Sequence, residues 1–416
     1  MTSIVESIAA SLADPDRVRS IASASRNAMV LPGRRVSPWR SAALSDGFPS
    51  LALLHAELGQ HDLTHEYLSA ALASDAPPAL GLYNGIASLA FAAHAASTVF
   101  GGYDTLLTEL DHAIVSQLRA RVRHDRERLA AGQPLGSWDA YDVISGASGV
   151  ARLLLARYEA TQDDNIRDAV TDVISLFVAA ACGGDKAWWV DTYAYIGQEG
   201  PPGHLNLGLA HGIAGPLALL AICWRRGVKV DRQQEAMGHI VDLLAKWQQD
   251  DDRGPFWPSW IRAGEGPPVN RSREVWCYGC GGVGRALHLA GKALERPKLA
   301  ELGESAMQSA LTVAGAGIGD FALCHGWSGL LQIANRMAWD TNAATYQCAA
   351  DRIAATIRSG FRDDHAFGFR YTHPAAPAGT DRAGFLEGAA GIALALHEHA
   401  TGRPSATGWD AALMLT

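Results

Sequence analysis

Cysteine is scarce in this chain: six in 416 residues, at positions 182, 223, 277, 280, 324 and 348. That is too sparse for a disulfide scaffold, so the thiols are left for packing, metals or chemistry. A long apolar run is also missing. One long stretch without Asp, Glu, Lys or Arg is Gly200 to Trp224, and its Pro201, Pro202, Pro216 and five glycines argue against a membrane span. The opening Met1-Thr-Ser-Ile-Val-Glu6 lacks the basic start and apolar core of a signal peptide. A reduced, cytoplasmic protein is expected, with any membrane association made through partners. Nor is there an excess of positive charge. The net charge of −8 argues against a nucleic-acid surface. Like-charge runs are absent apart from Asp250-Asp251-Asp252, which reads as a solvated turn. A hydrophobic share of 48% and a charged share of 19% describe an ordinary globular chain, long enough for a large core.

Glycine, by contrast, is plentiful, and seven glycines open a recurring pattern. Gly-x-x-Gly, or its variant Gly-x-x-Ser, precedes an Ala/Leu-rich run at Gly47, Gly85, Gly146, Gly212, Gly279, Gly326 and Gly388. The first two copies end in Ser50 and Ser88. Runs such as Leu51-Ala-Leu-Leu54 and Val150–Ala156 are strong helix formers without proline. Amphipathic stretches lie between them, among them Arg167–Ala181 and Arg232–Trp247. Two helices per repeat over seven repeats predict an all-α protein. Small residues at the inner-helix starts favour an α/α toroid, a double ring of inner and outer helices. Residues 1–40 read as an N-terminal helical segment and 41–416 as the toroid. Two segments resist the helical reading. Lys186–Ile196 is aromatic and β-branched, as short strands are. Trp257 to Arg271, with Pro258, Pro267 and Pro268, reads as a long loop.

The repeat aligns chemistry. Counted from each first glycine, Cys277 and Cys324 stand at −2, and His211 and His325 at −1. Residues just ahead of the inner helices gather at one end of a ring. Two cysteines and a histidine from neighbouring repeats are soft-to-borderline ligands that suit zinc. Three protein ligands leave a coordination position open, as a catalytic zinc requires. Cys280 offers an alternative, because Cys277-x-x-Cys280 with Cys324-His325 spells a closed Cys₃His site. Its place inside the helix start favours a non-ligand. Cys182, Cys223 and Cys348 read as small buried hydrophobes. His211 either caps its helix or serves the site. Asp142 and Arg273 either form an ordinary ion pair or orient His211.

Six segments together carry a family resemblance. They are Leu44-Ser-Asp-Gly47, Asp142-Val-Ile-Ser-Gly146, Asn206-Leu-Gly-Leu-Ala-His-Gly-Ile-Ala-Gly215, Arg273-Glu-Val-Trp-Cys-Tyr-Gly279, Leu323-Cys-His-Gly326 and Phe385-Leu-Glu-Gly-Ala-Ala-Gly391. From about Leu44 to Leu396 the chain resembles the lanthionine synthetase C-like family of lanthipeptide cyclases. The resemblance implies an α/α toroid and a Zn²⁺ on Cys277, Cys324 and His325. It also implies active-site roles for His211, Asp142, Arg273 and Tyr278, and a small β-containing insertion that includes about 184–206.

The implied reaction is Michael addition of a precursor-peptide cysteine thiol to dehydroalanine or dehydrobutyrine, giving lanthionine or methyllanthionine rings. A free thiol titrates near ~8.5 and is mostly protonated at neutral pH, so a metal that deprotonates it suits the task. His211 is then the candidate acid for the α-carbon. The repeats occupy most of the chain, so a stand-alone cyclase is expected. It would act on an already dehydrated precursor, with a separate dehydratase and a transporter as further partners. Three rivals stand beside it: a protein prenyltransferase-like enzyme, a family member that adds glutathione in trans, and a non-enzymatic helical scaffold with structural zinc. No Lys/Arg cluster for a diphosphate accompanies the motifs, which weighs against the first.

Overall fold

The computed structural model describes residues 2–31, 33–74, 79–190, 203–266, 271, 274–313, 318–373 and 375–416. Among them are fifteen α-helices and four two-stranded sheets. After α1 (Thr2–Ser11) and α2 (Pro15–Ala22) come α3 (Phe48–Glu57), α4 (His61–Leu72), α5 (Ile86–Phe100) and α6 (Asp104–Ala130). They are followed by α7 (Ala147–Thr161), α8 (Asp164–Gly183), α9 (Ala214–Arg225), α10 (Gln233–Lys246) and α11 (Cys280–Ala293). The last four are α12 (Pro297–Val313), α13 (Trp327–Thr341), α14 (Ala344–Ser359) and α15 (Ala389–Thr401). Each of the seven glycine motifs leads into an odd-numbered helix, as the sequence pattern predicts.

The alternation follows from burial. Helices α3, α9 and α11 are buried almost throughout, which explains the apolar character of α3 and α9, while α11 also buries Arg285 and His288. The even-numbered α8 and α10 bury one stripe and keep a charged face in water. Six motif glycines serve as N-caps: Gly47, Gly85, Gly146, Gly279, Gly326 and Gly388. Gly279 stands apart, with φ 77° where the chain turns from Tyr278 into α11, a region open to glycine but strained for other residues.

The second glycine of the motif answers a different constraint. A Cβ at Gly149, Gly215, Gly282 or Gly391 would collide with the backbone carbonyl of Val143, Leu209, Trp276 or Phe385, respectively. In each case the loop six residues upstream rests directly on the first turn of the helix. At Ser50 the hydroxyl donates to the Gly47 carbonyl, so this repeat has room for a side chain.

The chain forms two compact units. The first comprises Met1–Ala79, Tyr83–Leu110 and Gly317–Asp410. Within it α15 packs on α13 and on α3, and α1 packs on α15, so the seventh repeat lies beside the first. The Phe385 and Leu386 N–H groups both donate to the Ser45 carbonyl. The second unit comprises Leu80–Leu82, Asp111–Ala316 and Ala411–Thr416. There α9 packs against both α7 and α11, with α8, α10 and α12 as their partners. Trp276 donates to the Leu413 carbonyl at 2.8 Å, and Arg285 to that of Leu415 at 2.6 Å.

The strands are short. β1 (Met29–Leu31) pairs with β2 (Arg34–Val36), and β3 (His204–Asn206) pairs with β6 (Trp260–Arg262). β4 (Gln249–Asp251) pairs with β5 (Gly254–Phe256), and β7 (Tyr371–His373) with β8 (Ala376–Thr380). The expected strand region 186–196 is only partly described. Ala187 and Trp188 lie in a 3₁₀ turn, Val190 bridges to His204 and Gly136, and residues 191–196 fall outside the described residues. Within the expected loop from Trp257 to Arg271, Trp260–Arg262 forms a strand against His204–Asn206, and residues 267–270 fall outside the described residues. No described helix is long and apolar enough to cross a membrane.

In the first unit a buried network links Arg336, Gln332, Glu398 and Asp410. Burial and the neighbouring Asp410 push the Glu398 carboxyl up to about 8, against the opposing Arg336 charge. The folded state therefore keeps a proton that the unfolded chain releases near its ordinary value of 4.5. Stability is expected to fall as pH rises from about 4.5 to 8, and Glu398→Gln to flatten that slope, as denaturant unfolding at several pH values will show. Gly282→Ala should cost about 1–3 kcal/mol, through displacement of the Trp276 carbonyl, whereas Ser50→Gly should change little. Paired melting curves test the contrast.

Candidate metal centre

Cys277 belongs to the second unit and is buried. Its loop is a tight turn closed by the Val275 N–H donating to the Tyr278 carbonyl. The Cys277 carbonyl accepts from the N–H groups of Leu209 and Ala210, which fixes the thiol-bearing backbone against the neighbouring loop. Beside it, the Tyr278 hydroxyl accepts from Asn206 Nδ2 at 3.2 Å, and Asn206 Oδ1 accepts from the Gly208 N–H.

The same unit joins Asp142 to His211. Asp142 Oδ1 accepts from the Ser145 and Gly146 N–H groups at 2.8 and 2.6 Å, which locks the carboxylate at the start of α7. Its Oδ2 lies 2.6 Å from His211 Nδ1. A carboxylate only accepts, so Nδ1 carries the proton and Nε2 is the nitrogen available for proton transfer. Trp138 sets its ring edge-on to the imidazole, 4.5 Å between centroids. The His211 side chain keeps 26% of its surface exposed, whereas that of Asp142 keeps 1%. Asp142 is thus the buried orienting group and His211 the accessible one. Arg273 lies outside the described residues.

Cys280 points elsewhere. It is the first residue of α11, its thiol donates to the Pro255 carbonyl at 3.1 Å, and Arg271 Nη1 stands 3.7 Å away. Burial and the nearby Glu274 push the thiol pKa well above its ordinary range, so it stays protonated. Arg271 itself is occupied, bonded to Asp251 and Glu274.

In the first unit, Cys324 and His325 precede α13. The Cys324 N–H donates to the Leu386 carbonyl at 2.9 Å. His325 Nε2 is 2.8 Å from the Tyr371 hydroxyl, which donates to Glu387 Oε1 at 3.2 Å. With the Tyr371 proton given to Glu387, its oxygen accepts from Nε2–H, and Nδ1 is the nitrogen a metal would take by displacing its proton. Asp320 lies 3.8 Å from the same Nε2, and Arg382 bonds Asp46 and pairs with Glu387. Burial opposes a charge on His325, but Cys324, Asp320 and Glu387 outweigh it and hold the ring up to about 9.

Tyr371 and Glu387 escape a motif reading. Tyr371 comes from a strand 46 residues past His325 with no glycine pattern near it. Glu387 does stand at −1 in the last repeat, and that register was the available signal. Of the remaining cysteines, Cys223 is buried as expected, and burial pushes its thiol up to about 12. Cys348 is exposed and Cys182 half-buried, which corrects the buried-hydrophobe expectation for these two. Both sit on outer helices, where the amphipathic face turns them toward solvent.

A family model for lanthionine synthetase C-like proteins matches residues 38–414. The chain belongs to that family. In sequence this lanthionine synthetase C-like protein is similar to the nisin biosynthesis protein NisC of Lactococcus lactis subsp. lactis. The two are 26% identical over 317 residues, covering 70% of this chain and 72% of that protein. In structure it is similar to nisin cyclase, with a TM-score of 0.77 and 23% identity over 100% of this chain and 97% of that one. The shared fold is the expected one, an α/α toroid with few small strands.

Tyr371→Phe removes the acceptor that orients His325. Loss of such an outer partner weakens metal retention by roughly 10–100-fold. Competition with a chromophoric chelator measures it, and unchanged retention would remove Tyr371 from the centre.

Proposed function

We propose that this chain is a zinc-dependent lanthipeptide cyclase that closes thioether rings in an already dehydrated precursor peptide. One feature carries the reading beyond family membership: the donor set Cys277, Cys324 and His325, held at matching positions just before two inner helices. Two thiols and an imidazole match the donor set of zinc. The Cys280 thiol is engaged by the Pro255 carbonyl instead, which supports a three-ligand site with a position left for substrate.

Zinc, when bound, supplies acidity: it favours the thiolate of a substrate cysteine at neutral pH. The remaining chemistry falls to the protein. Addition forms a bond between sulfur and the β-carbon and breaks the β–α double bond. The thiol proton is lost and one proton is delivered to the α-carbon, so nothing leaves the substrate. His211, held by Asp142 through Nδ1, keeps Nε2 for both transfers. It takes the proton as the thiol ionises and returns it to the enolate carbon. Asp142 stabilises the imidazolium between these steps. Tyr278, fixed by Asn206, is proposed to border the reacting groups, and Arg273 to complete the environment of His211. A separate dehydratase must supply the dehydroamino acids, and a transporter is a natural partner for the product. The relatives named for nisin biosynthesis support a precursor peptide rather than a small thiol as substrate.

Zinc per chain is expected to fall by one in Cys277→Ala and to stay unchanged in Cys280→Ala, by elemental analysis of metal-replete protein. Loss in both variants would instead indicate a closed structural site. His211→Asn should retain zinc but lower kcat for ring closure on a dehydrated peptide by about 10²–10⁴-fold. Thiol alkylation followed by mass spectrometry reports it.

A further inference from the structure

A second group of metal-type donors lies in the second unit, on the outer helices. Cys182 is near the C-terminus of α8, and Glu235 and His239 lie one turn apart on α10, which packs on α8. The Cys182 sulfur, a Glu235 carboxylate oxygen and a His239 ring nitrogen all lie within 4.8 Å of one another. We propose that these three residues form a second zinc site, a clamp between α8 and α10 that is separate from the reaction.

The surroundings prepare each donor. His239 Nδ1 lies 3.1 Å from the Ala181 carbonyl, and since a carbonyl only accepts, Nδ1 bears the proton. Nε2 is therefore the nitrogen with a lone pair, the tautomer-fixing arrangement common around metal-binding histidines. Glu235 is gripped by Arg232, whose Nε and Nη2 reach its two oxygens at 2.9 and 2.7 Å. Each oxygen keeps a further lone pair, so the arginine orients the carboxylate without consuming it. One thiolate and one carboxylate neutralise a divalent ion.

Coordination bonds of about 2.0–2.3 Å need donors somewhat closer together than this group stands. Glu235 and His239 are exposed and free to swing inward. A hollow of about 330 Å³ beside them, lined by Gln234, Gly238 and Asp242 among others, leaves room for water in the fourth position. The mixed sulfur, nitrogen and oxygen set favours zinc over magnesium or calcium, which take oxygen ligands.

The test counts metal in the whole chain after equilibration with Zn²⁺ and removal of loose ion. Wild type is expected to hold one zinc more than Cys182→Ser and one more than the exposed variant Glu235→Gln. Cys277→Ala should keep this zinc, and Co²⁺ in that variant should give a near-ultraviolet thiolate charge-transfer band that the added Cys182→Ser abolishes. Equal metal in wild type, Cys182→Ser and Glu235→Gln would overturn the clamp and leave the cyclase reading standing. A zinc lost with Cys182→Ser but never with Cys277→Ala would do the reverse.

Discussion

Where four of the inner helices leave their loops, backbone touches backbone. The carbonyls of Val143, Leu209, Trp276 and Phe385 occupy the space a Cβ would need on Gly149, Gly215, Gly282 and Gly391. Because that contact leaves no slack, the residues just before these four helices are held in a repeated geometry. The loops then brace one another: Val143 bonds Ala210, Leu209 bonds Cys277, and Cys324 bonds Leu386. The residues on these loops need no search for their positions, and such preorganisation is what a metal or proton-transfer site requires.

The loops also carry a shared electrical logic. Asp142, Asn206, Glu274 and Asp320 each turn a side-chain oxygen back onto N–H groups of their own loop. Such oxygens satisfy donors that burial would otherwise orphan. Asp142 then uses its second oxygen to steer His211, so one residue both shapes the loop and orients an imidazole. On the other candidate histidine the steering runs through a neutral hydroxyl, from Glu387 to Tyr371 to His325.

Much of this was legible in the sequence because it is periodic. The glycine motif marked all seven inner helices, and its register aligned Cys277 with Cys324 and His211 with His325. The alignment left open whether Asp142 pairs with Arg273 or orients His211, and the contact with His211 came only with the structure. What stayed hidden depends on tertiary contact alone. Tyr371 sits on a three-residue strand whose partner is β8, and no local pattern announces which histidine it will meet. Trp260–Arg262 looked like loop because its pairing partner lies more than fifty residues upstream. Cys182 looked like filler because Glu235 and His239 come from another helix.

The packing of α1 and α3 on α15 also has a temporal side. Helix α3 begins at Phe48, and the helix it rests against begins at Ala389, about 340 residues later. At synthesis rates of ~5–20 residues per second, the first repeat waits for tens of seconds with an apolar flank uncovered. Contacts this distant in sequence also slow the final closure step. The second unit's middle repeats, α7 to α11, are contiguous in the chain and can assemble while the first repeat is still unpartnered. In the cell, the early helices are thus the stretch most exposed to chaperones and to aggregation.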